Sequence, residues 1–249
     1  MRRGFFITGT DTGVGKTVIA GALIRVFMTH GIGTCGMKPI ETGCLRSGNF
    51  LYPSDGLFLM DVAGFPGDID AITPYRFETP AAPLAASERE CRNIEVNVLT
   101  NAFNLLSSRY QAVIVEGAGG LLVPIKKDYF MLNLARDLDL ALIVISRPSL
   151  GTINHTLLTV GYALKEGIEV SGIIVNFHEP PRRSFVEETN LQILKDLSPV
   201  PLFGSFPYLE DLGGETLESA AFSHLDTEKL IKAFHTKKCH SLHSAKWNV

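Results

Sequence analysis

The chain has 249 residues, 45% of them hydrophobic and 20% charged, enough to bury a full core within one large domain. Its formal net charge of −3 gives no electrostatic reason to expect nucleic acid as the main partner. Four cysteines, Cys35, Cys44, Cys91 and Cys239, form no CxxC pair and no ligand-spaced set with histidine, which argues against a disulfide framework or a zinc site and for a reducing, cytoplasmic location.

The amino terminus opens on two arginines and an apolar stretch far too short for a signal peptide or a membrane span, so residues 5–8 read as a first strand. Directly after it comes Gly9-Thr10-Asp11-Thr12-Gly13-Val14-Gly15-Lys16-Thr17, followed by a helical pattern over residues 17–28. Glycines there let backbone N–H groups and the helix start face phosphate oxygens; Lys16 reaches the terminal phosphates and the Thr17 hydroxyl suits magnesium. Five residues separate Gly9 from Gly15, one more than the usual phosphate-loop spacing.

A second strand, residues 35–39, ends in Lys38-Pro39-Ile40-Glu41-Thr42-Gly43. Alone, a lysine after a strand is an ordinary solvated residue; beside bound phosphates it would neutralise charge that grows during transfer, and Thr42 would hydrogen-bond a substrate. Asp55 lies at an expected helix start, where capping is its default role. After a helix over residues 96–107 comes a third strand, residues 112–116, ending in Glu116-Gly117-Ala118-Gly119-Gly120. A carboxylate at that strand end is placed to share a magnesium ion with the phosphate-loop hydroxyl.

Helical spacing over 133–137, a strand over 141–146, a helix over 153–165, a strand over 171–176, a helix over 184–197 and a strand over 200–204 complete the pattern. Alternating strands and helices predict an α/β fold of the P-loop NTPase type, with a predominantly parallel sheet flanked by helices on both faces. In such a sheet ligands sit beyond the carboxyl ends of the strands, where each motif falls. Residues 1–234 are expected to form one domain, and residues 235–249 a polar, basic extension.

Taken together, Gly9-Thr10-Asp11-Thr12 with Gly15-Lys16-Thr17, Lys38-Pro39, Ser54-Asp55, Val115-Glu116-Gly117-Ala118-Gly119-Gly120, Gly151-Thr152-Ile153-Asn154-His155 and Asn176 resemble the dethiobiotin synthetase family, in order and spacing from residue 5 to about residue 207. The resemblance implies that 7,8-diaminononanoate and CO2 form a carbamate, that MgATP phosphorylates it, and that the second amine closes the ring. It makes Thr17, Asp55 and Glu116 the magnesium set, and Lys16 and Lys38 the catalytic cations. Gly13, Val14, Gly15, Val18, Gly117, Ala118 and Gly119 would line the nucleotide phosphates. Asn176 and Phe177, with Ser205, Phe206 and Pro207, would enclose the base. Thr12 and Thr42 would face the substrate, and Leu150, Gly151, Thr152, Ile153 and Asn154, a helix start, would serve the partner subunit's site in a homodimer. Gly13 stands where many relatives carry glutamate, which removes a side chain able to brace the loop. No nucleic acid or membrane partner is expected. The alternatives are a regulatory ATPase switch of the partitioning type, which usually has an additional lysine early in its loop where this chain has Thr10, Asp11 and Thr12, and a cobyric acid amidating enzyme, which carries a further glutamine-hydrolysing domain.

Overall fold

The computed structural model describes residues 3–180 and 185–236. The first strand, β1 (Gly4–Gly9), is buried along its length, as expected of a strand covered on both faces. The chain continues into α1 (Lys16–Thr29) and β2 (Thr34–Met37). An excursion follows: short strands β3 (Ile40–Thr42), β4 (Leu45–Ser47) and β5 (Phe50–Tyr52), helices α2 (Ser54–Val62) and α3 (Ile69–Ile72), strand β6 (Tyr75–Phe77), and helices α4 (Pro83–Arg89) and α5 (Val96–Arg109). After β7 (Ala112–Glu116) and the pair β8 (Pro124–Lys126) and β9 (Tyr129–Phe130) come α6 (Met131–Asp137), β10 (Ala141–Ser146), α7 (Thr152–Lys165) and β11 (Val170–Asn176). The described chain closes with α8 (Phe185–Leu197), β12 (Leu202–Phe206), α9 (Gly214–His224) and α10 (Thr227–His235).

Six strands form one parallel sheet in the order β12-β11-β10-β1-β7-β2. From β1 the chain steps out to the edge strand β2, returns through β7 and then crosses to β10, so the winding reverses at β1. Such a reversal opens a crevice at the carboxyl ends of the strands, and the loop after β1 sits in it. Helices cover both faces; α1 packs on α9 and α2, and α7 packs on β10 and α8.

Two of the boundaries that differ from the expected ones are set by backbone N–H groups. The last strand begins at Leu202, not at residue 200, because Pro201 has no N–H to give to the ladder and joins only through its carbonyl, which accepts from the Ile173 N–H at 2.9 Å. The second strand stops at Met37 because the Lys38 N–H turns aside to the Ile72 carbonyl at 2.9 Å ahead of Pro39. The expected helix start at Ser184 and residues 237–249 of the extension lie outside the described residues. At the near end of that extension, α10 is capped by Asp226, whose carboxylate accepts from the Lys229 N–H at 3.0 Å. Its Phe234 ring packs against Phe27 and Phe5 in the core.

Candidate active site

The loop after β1 owes its shape to Gly13 and Gly15, whose φ values of 73° and 84° lie in the left-handed region. At Gly15 a side chain is excluded twice over, since a Cβ there would lie 2.0 Å from the Asn176 amide nitrogen. A Cβ at Gly13 would meet nothing within 4 Å, so glycine there gives the turn its freedom without leaving a packing gap. Gly15 is the N-cap of α1 and supplies no side-chain cap. The first-turn N–H groups therefore have no partner within the helix and form an anion site with the positive end of the helix dipole.

Around this loop is a cavity of about 330 Å³, at the lower end of the range for small-ligand pockets. Its floor is charged. Lys16 is 6% exposed and its ammonium donates to the Asp11 carbonyl at 3.2 Å. Burial lowers its pKa to about 8, against the pull of Glu116, so the amine enters the site less strongly protonated than a surface lysine. Lys38 is buried too, and burial alone would lower its pKa. Two carboxylates outweigh that effect: its ammonium lies 2.5 Å from Glu116 Oε1 and 2.7 Å from Asp55 Oδ2, and its pKa is raised. The Thr17 hydroxyl donates to the same Glu116 oxygen at 3.0 Å.

The other Glu116 oxygen, Oε2, is buried and has no hydrogen-bond partner among the described residues. A carboxylate 1% exposed with one unpaired oxygen is costly unless a cation or donor completes it. Together with the Thr17 hydroxyl and Asp55 it offers hard oxygen donors of the kind magnesium takes, so the residues present fit that ion.

This geometry brings motifs far apart in sequence around one cavity. The family model described as an AAA domain matches residues 3–216. The ATP-dependent dethiobiotin synthetase BioD of Thermodesulfovibrio yellowstonii is 43% identical over 238 residues, covering 93% of this chain and 99% of that protein. The chain belongs to the dethiobiotin synthetase family. Synthetases of the same name from Bacillus cereus and Bacillus licheniformis are 39% and 37% identical over 229 residues, covering 91% and 92% of this chain and 93% and 96% of theirs. Among solved structures, a ParA family ATPase from Chlorobium tepidum superposes with a TM-score of 0.51 at 16% identity, covering 94% of this chain and 95% of that one. The MinC:MinD cell division complex of Aquifex aeolicus gives 0.53 at 13% identity and 94% coverage of both chains. Likeness at that level of identity shows a shared P-loop fold.

Within this synthetase scaffold the cavity gathers most of the residues singled out from the sequence. Thr12, Gly13, Gly15, Lys16 and Thr17 line it from the loop; Lys38, Thr42 and Asp55 from the excursion; Glu116, Ala118 and Gly119 from the end of β7. Val14 and Val18 pack against the core, and Gly117 donates its N–H to the Ile7 carbonyl at 3.0 Å. Asn176 braces the loop through its amide, which donates to the Val14 carbonyl at 3.0 Å, while its Oδ1 is buried without a partner among the described residues. That free acceptor points to a ligand donor such as an exocyclic amine. Phe177 donates its N–H to the Phe206 carbonyl at 2.9 Å, the Phe206 ring is fully buried, Ser205 pairs with Val175, and Pro207 is half-buried at the strand end.

The segment from Leu150 to Asn154 does not line this cavity. Leu150 is 81% exposed, Gly151 is left-handed at the N-cap of α7, Thr152 is buried, Ile153 packs on the core and Asn154 is exposed. His155 is exposed on α7, away from the reacting groups. Two residues without a role from sequence join the site. Arg147 forms an ion pair with Asp11 at the loop mouth. Glu41, 4% exposed, faces the start of α2, and burial, with the Asp55 charge nearby, raises its pKa. No local pattern marks either, because their partners come from other elements.

Proposed function

We infer that this protein is a dethiobiotin synthetase of biotin biosynthesis, an ATP-dependent ligase that closes a cyclic urea on 7,8-diaminononanoate. The observation that carries this reading is the pairing of the phosphate loop with the Lys38–Asp55–Glu116 cluster, in a chain 43% identical to a named synthetase over 93% of its length. An amine of the substrate adds to CO2 and loses a proton to give a carbamate. The carbamate oxygen attacks the terminal phosphorus of ATP and expels ADP; the second amine then attacks the carbonyl carbon and expels phosphate.

The chain's own residues match these demands. The first-turn N–H groups of α1 hold the phosphates, and Lys16 and Lys38 place two ammonium groups where the transferred phosphoryl group gathers negative charge. Thr12 and Thr42, on the cavity wall, are suited to orient the carbamate. Asn176 Oδ1 is suited to accept from the adenine amine, favouring a base with a donor there. Thr17, Asp55 and Glu116 would hold magnesium, which when bound screens the charge of the phosphate oxygens.

For the assembly we propose a homodimer in the cytoplasm. Its support is a set of exposed apolar side chains on α7, α8 and the loop before α7: Leu150 at 81%, Leu158 at 63%, Phe185 at 81% and Leu197 at 57% exposure. Large exposed apolar side chains are what a contact between subunits would cover. A sedimentation mass of one chain at micromolar concentration would count against it. The location is supported by the free thiols of Cys35, Cys44 and Cys91. No helix among the described residues is long and apolar enough to cross a membrane.

The reaction itself is tested by incubating the protein with magnesium, ATP, bicarbonate and 7,8-diaminononanoate, following dethiobiotin by mass spectrometry alongside released phosphate. The two are expected in equal amounts and only with the diamine present. Phosphate release without diamine and without the cyclic product would instead favour the ATPase switch.

A further inference from the structure

Helix α2 begins at the wall of the cavity, and its own cap position is held by Pro53, which has no side-chain group to offer the free N–H donors of the first turn. Glu41, from β3, takes that role from outside the helix. Its Oε1 accepts from the Asp55 N–H at 3.0 Å and from the Ser54 hydroxyl at 3.3 Å, and its Oε2 accepts from the Gly56 N–H at 3.0 Å. Both carboxylate oxygens are thus used on three consecutive residues, and the side chain is almost completely buried. The middle residue of the three is Asp55, whose own carboxylate reaches Lys38 at 2.7 Å.

We propose that Glu41 is a positioning residue that fixes the Asp55 carboxylate for the nucleotide-bound metal, by clamping the Asp55 backbone while Lys38 holds its side chain. Asp55 sits in the first turn of a nine-residue helix whose cap residue, Pro53, offers no side-chain acceptor to that turn. A carboxylate on such a turn samples several directions unless its backbone is pinned. Pinning comes from Glu41, three residues along the chain from Lys38, so one short segment holds Asp55 at both ends. The clamp needs two acceptor oxygens on a buried side chain, which glutamate has and glutamine lacks. In Glu41→Gln the amide would set its own N–H groups against the N–H of Asp55 or Gly56, donor against donor.

This inference rests on the reading of Asp55 as a ligand of the nucleotide's magnesium, and the test separates the two. Affinity for ADP is measured by calorimetry with magnesium and with EDTA, for the native protein, Glu41→Gln, Asp55→Ala and the double variant, with thermal unfolding of each free protein as a control on folding. Affinity in EDTA depends on the phosphate loop, which Glu41 does not touch, and is expected to stay within about twofold. The gain in affinity that magnesium brings is expected to fall about tenfold in Glu41→Gln. It is expected to fall no further in the double variant than in Asp55→Ala, since two residues acting through one carboxylate do not add. Equal magnesium gains in the native protein and Glu41→Gln would overturn the inference, as would additive losses in the double variant. A Glu41→Gln effect on thermal unfolding alone would assign Glu41 to helix capping and nothing more. An undiminished gain in Asp55→Ala would overturn the metal reading itself, and the inference with it. Should Glu41→Gln not fold, Ser54→Ala, which removes only the weakest of the three bonds, is expected to reduce the gain less than twofold; a tenfold loss from that variant would contradict a clamp centred on Asp55 and Gly56.

Discussion

Replacing Lys38 with alanine is expected to lower dethiobiotin formation about 10²–10³-fold while ADP still binds. The ammonium is buried, and the Glu116 and Asp55 carboxylates at 2.5 and 2.7 Å keep it charged. A charge already fixed in a water-poor site meets the growing charge of the transferred phosphoryl group without reorganising, which is why one such donor accounts for so much rate. The same change strips Glu116 of its cation at 1% exposure, and breaking a buried pair costs about 3 kcal/mol or more. Thermal unfolding should therefore fall by roughly 2–4 °C for each kcal/mol lost in a chain of this size. Lys38→Arg separates the two effects. It keeps a cation for Glu116 and should recover most of the stability, yet its planar fork presents charge in a different shape and should leave single-turnover formation depressed. Full turnover by Lys38→Ala would remove the residue from the chemistry.

The cavity is lined from two parts of the chain. Helix α1, directly after β1 and the phosphate loop, supplies Lys16 and Thr17, and the end of β7 supplies Glu116. The excursion between β2 and β7 supplies Lys38, Glu41, Thr42 and Asp55. In the proposed roles the phosphate loop supplies Thr12 for the carbamate and Lys16 for the transferred phosphoryl group, and the excursion adds Thr42 and Lys38 for the same two groups.

The sheet was readable from sequence because its strands are buried on both faces and show as unbroken apolar runs; β1, β7, β10 and β11 are buried at every residue. Errors at the ends of β2 and β12 came from backbone donors, which a pattern of apolar residues does not register. Apart from α5, expected over residues 96–107, the strands and helices of the excursion left little periodic signal, since elements of three to nine residues are too short to show a period. At the site, Lys16 and Thr17 were legible because one contiguous segment dictates both loop and helix. Lys38 became informative through its place beside the phosphate loop, and Asp55 only through the family resemblance: each alone has an ordinary role, and their 2.7 Å contact joins residues 17 positions apart. Glu41 left no signal at all, since what defines it is the backbone of another element.

Gly15→Ala is expected to weaken ADP binding about 100-fold, and the size of the loss can be argued from two separate costs. The residue has φ 84° and ψ 33°, a left-handed conformation that costs an alanine about 1–2 kcal/mol. The new Cβ would also lie 2.0 Å from the Asn176 amide nitrogen, and Asn176 is 2% exposed. For that side chain to move aside it must release the Val14 carbonyl, which it holds at 3.0 Å, leaving buried polar atoms unpaired at about 1–3 kcal/mol. If the loop moves instead, the N–H groups of Lys16 and Thr17 turn away from the phosphates. Since about 1.4 kcal/mol is a factor of ten, the two costs together account for the predicted loss. Calorimetric titration of Gly15→Ala, Asn176→Ala and the double variant distinguishes them. Asn176→Ala removes the clash and keeps the strain, at the loss of its own contacts, so Gly15→Ala should cost less ADP affinity in the Asn176→Ala background than in the native protein. Native-like binding by Gly15→Ala would mean that the phosphates are held by something other than this loop in this conformation.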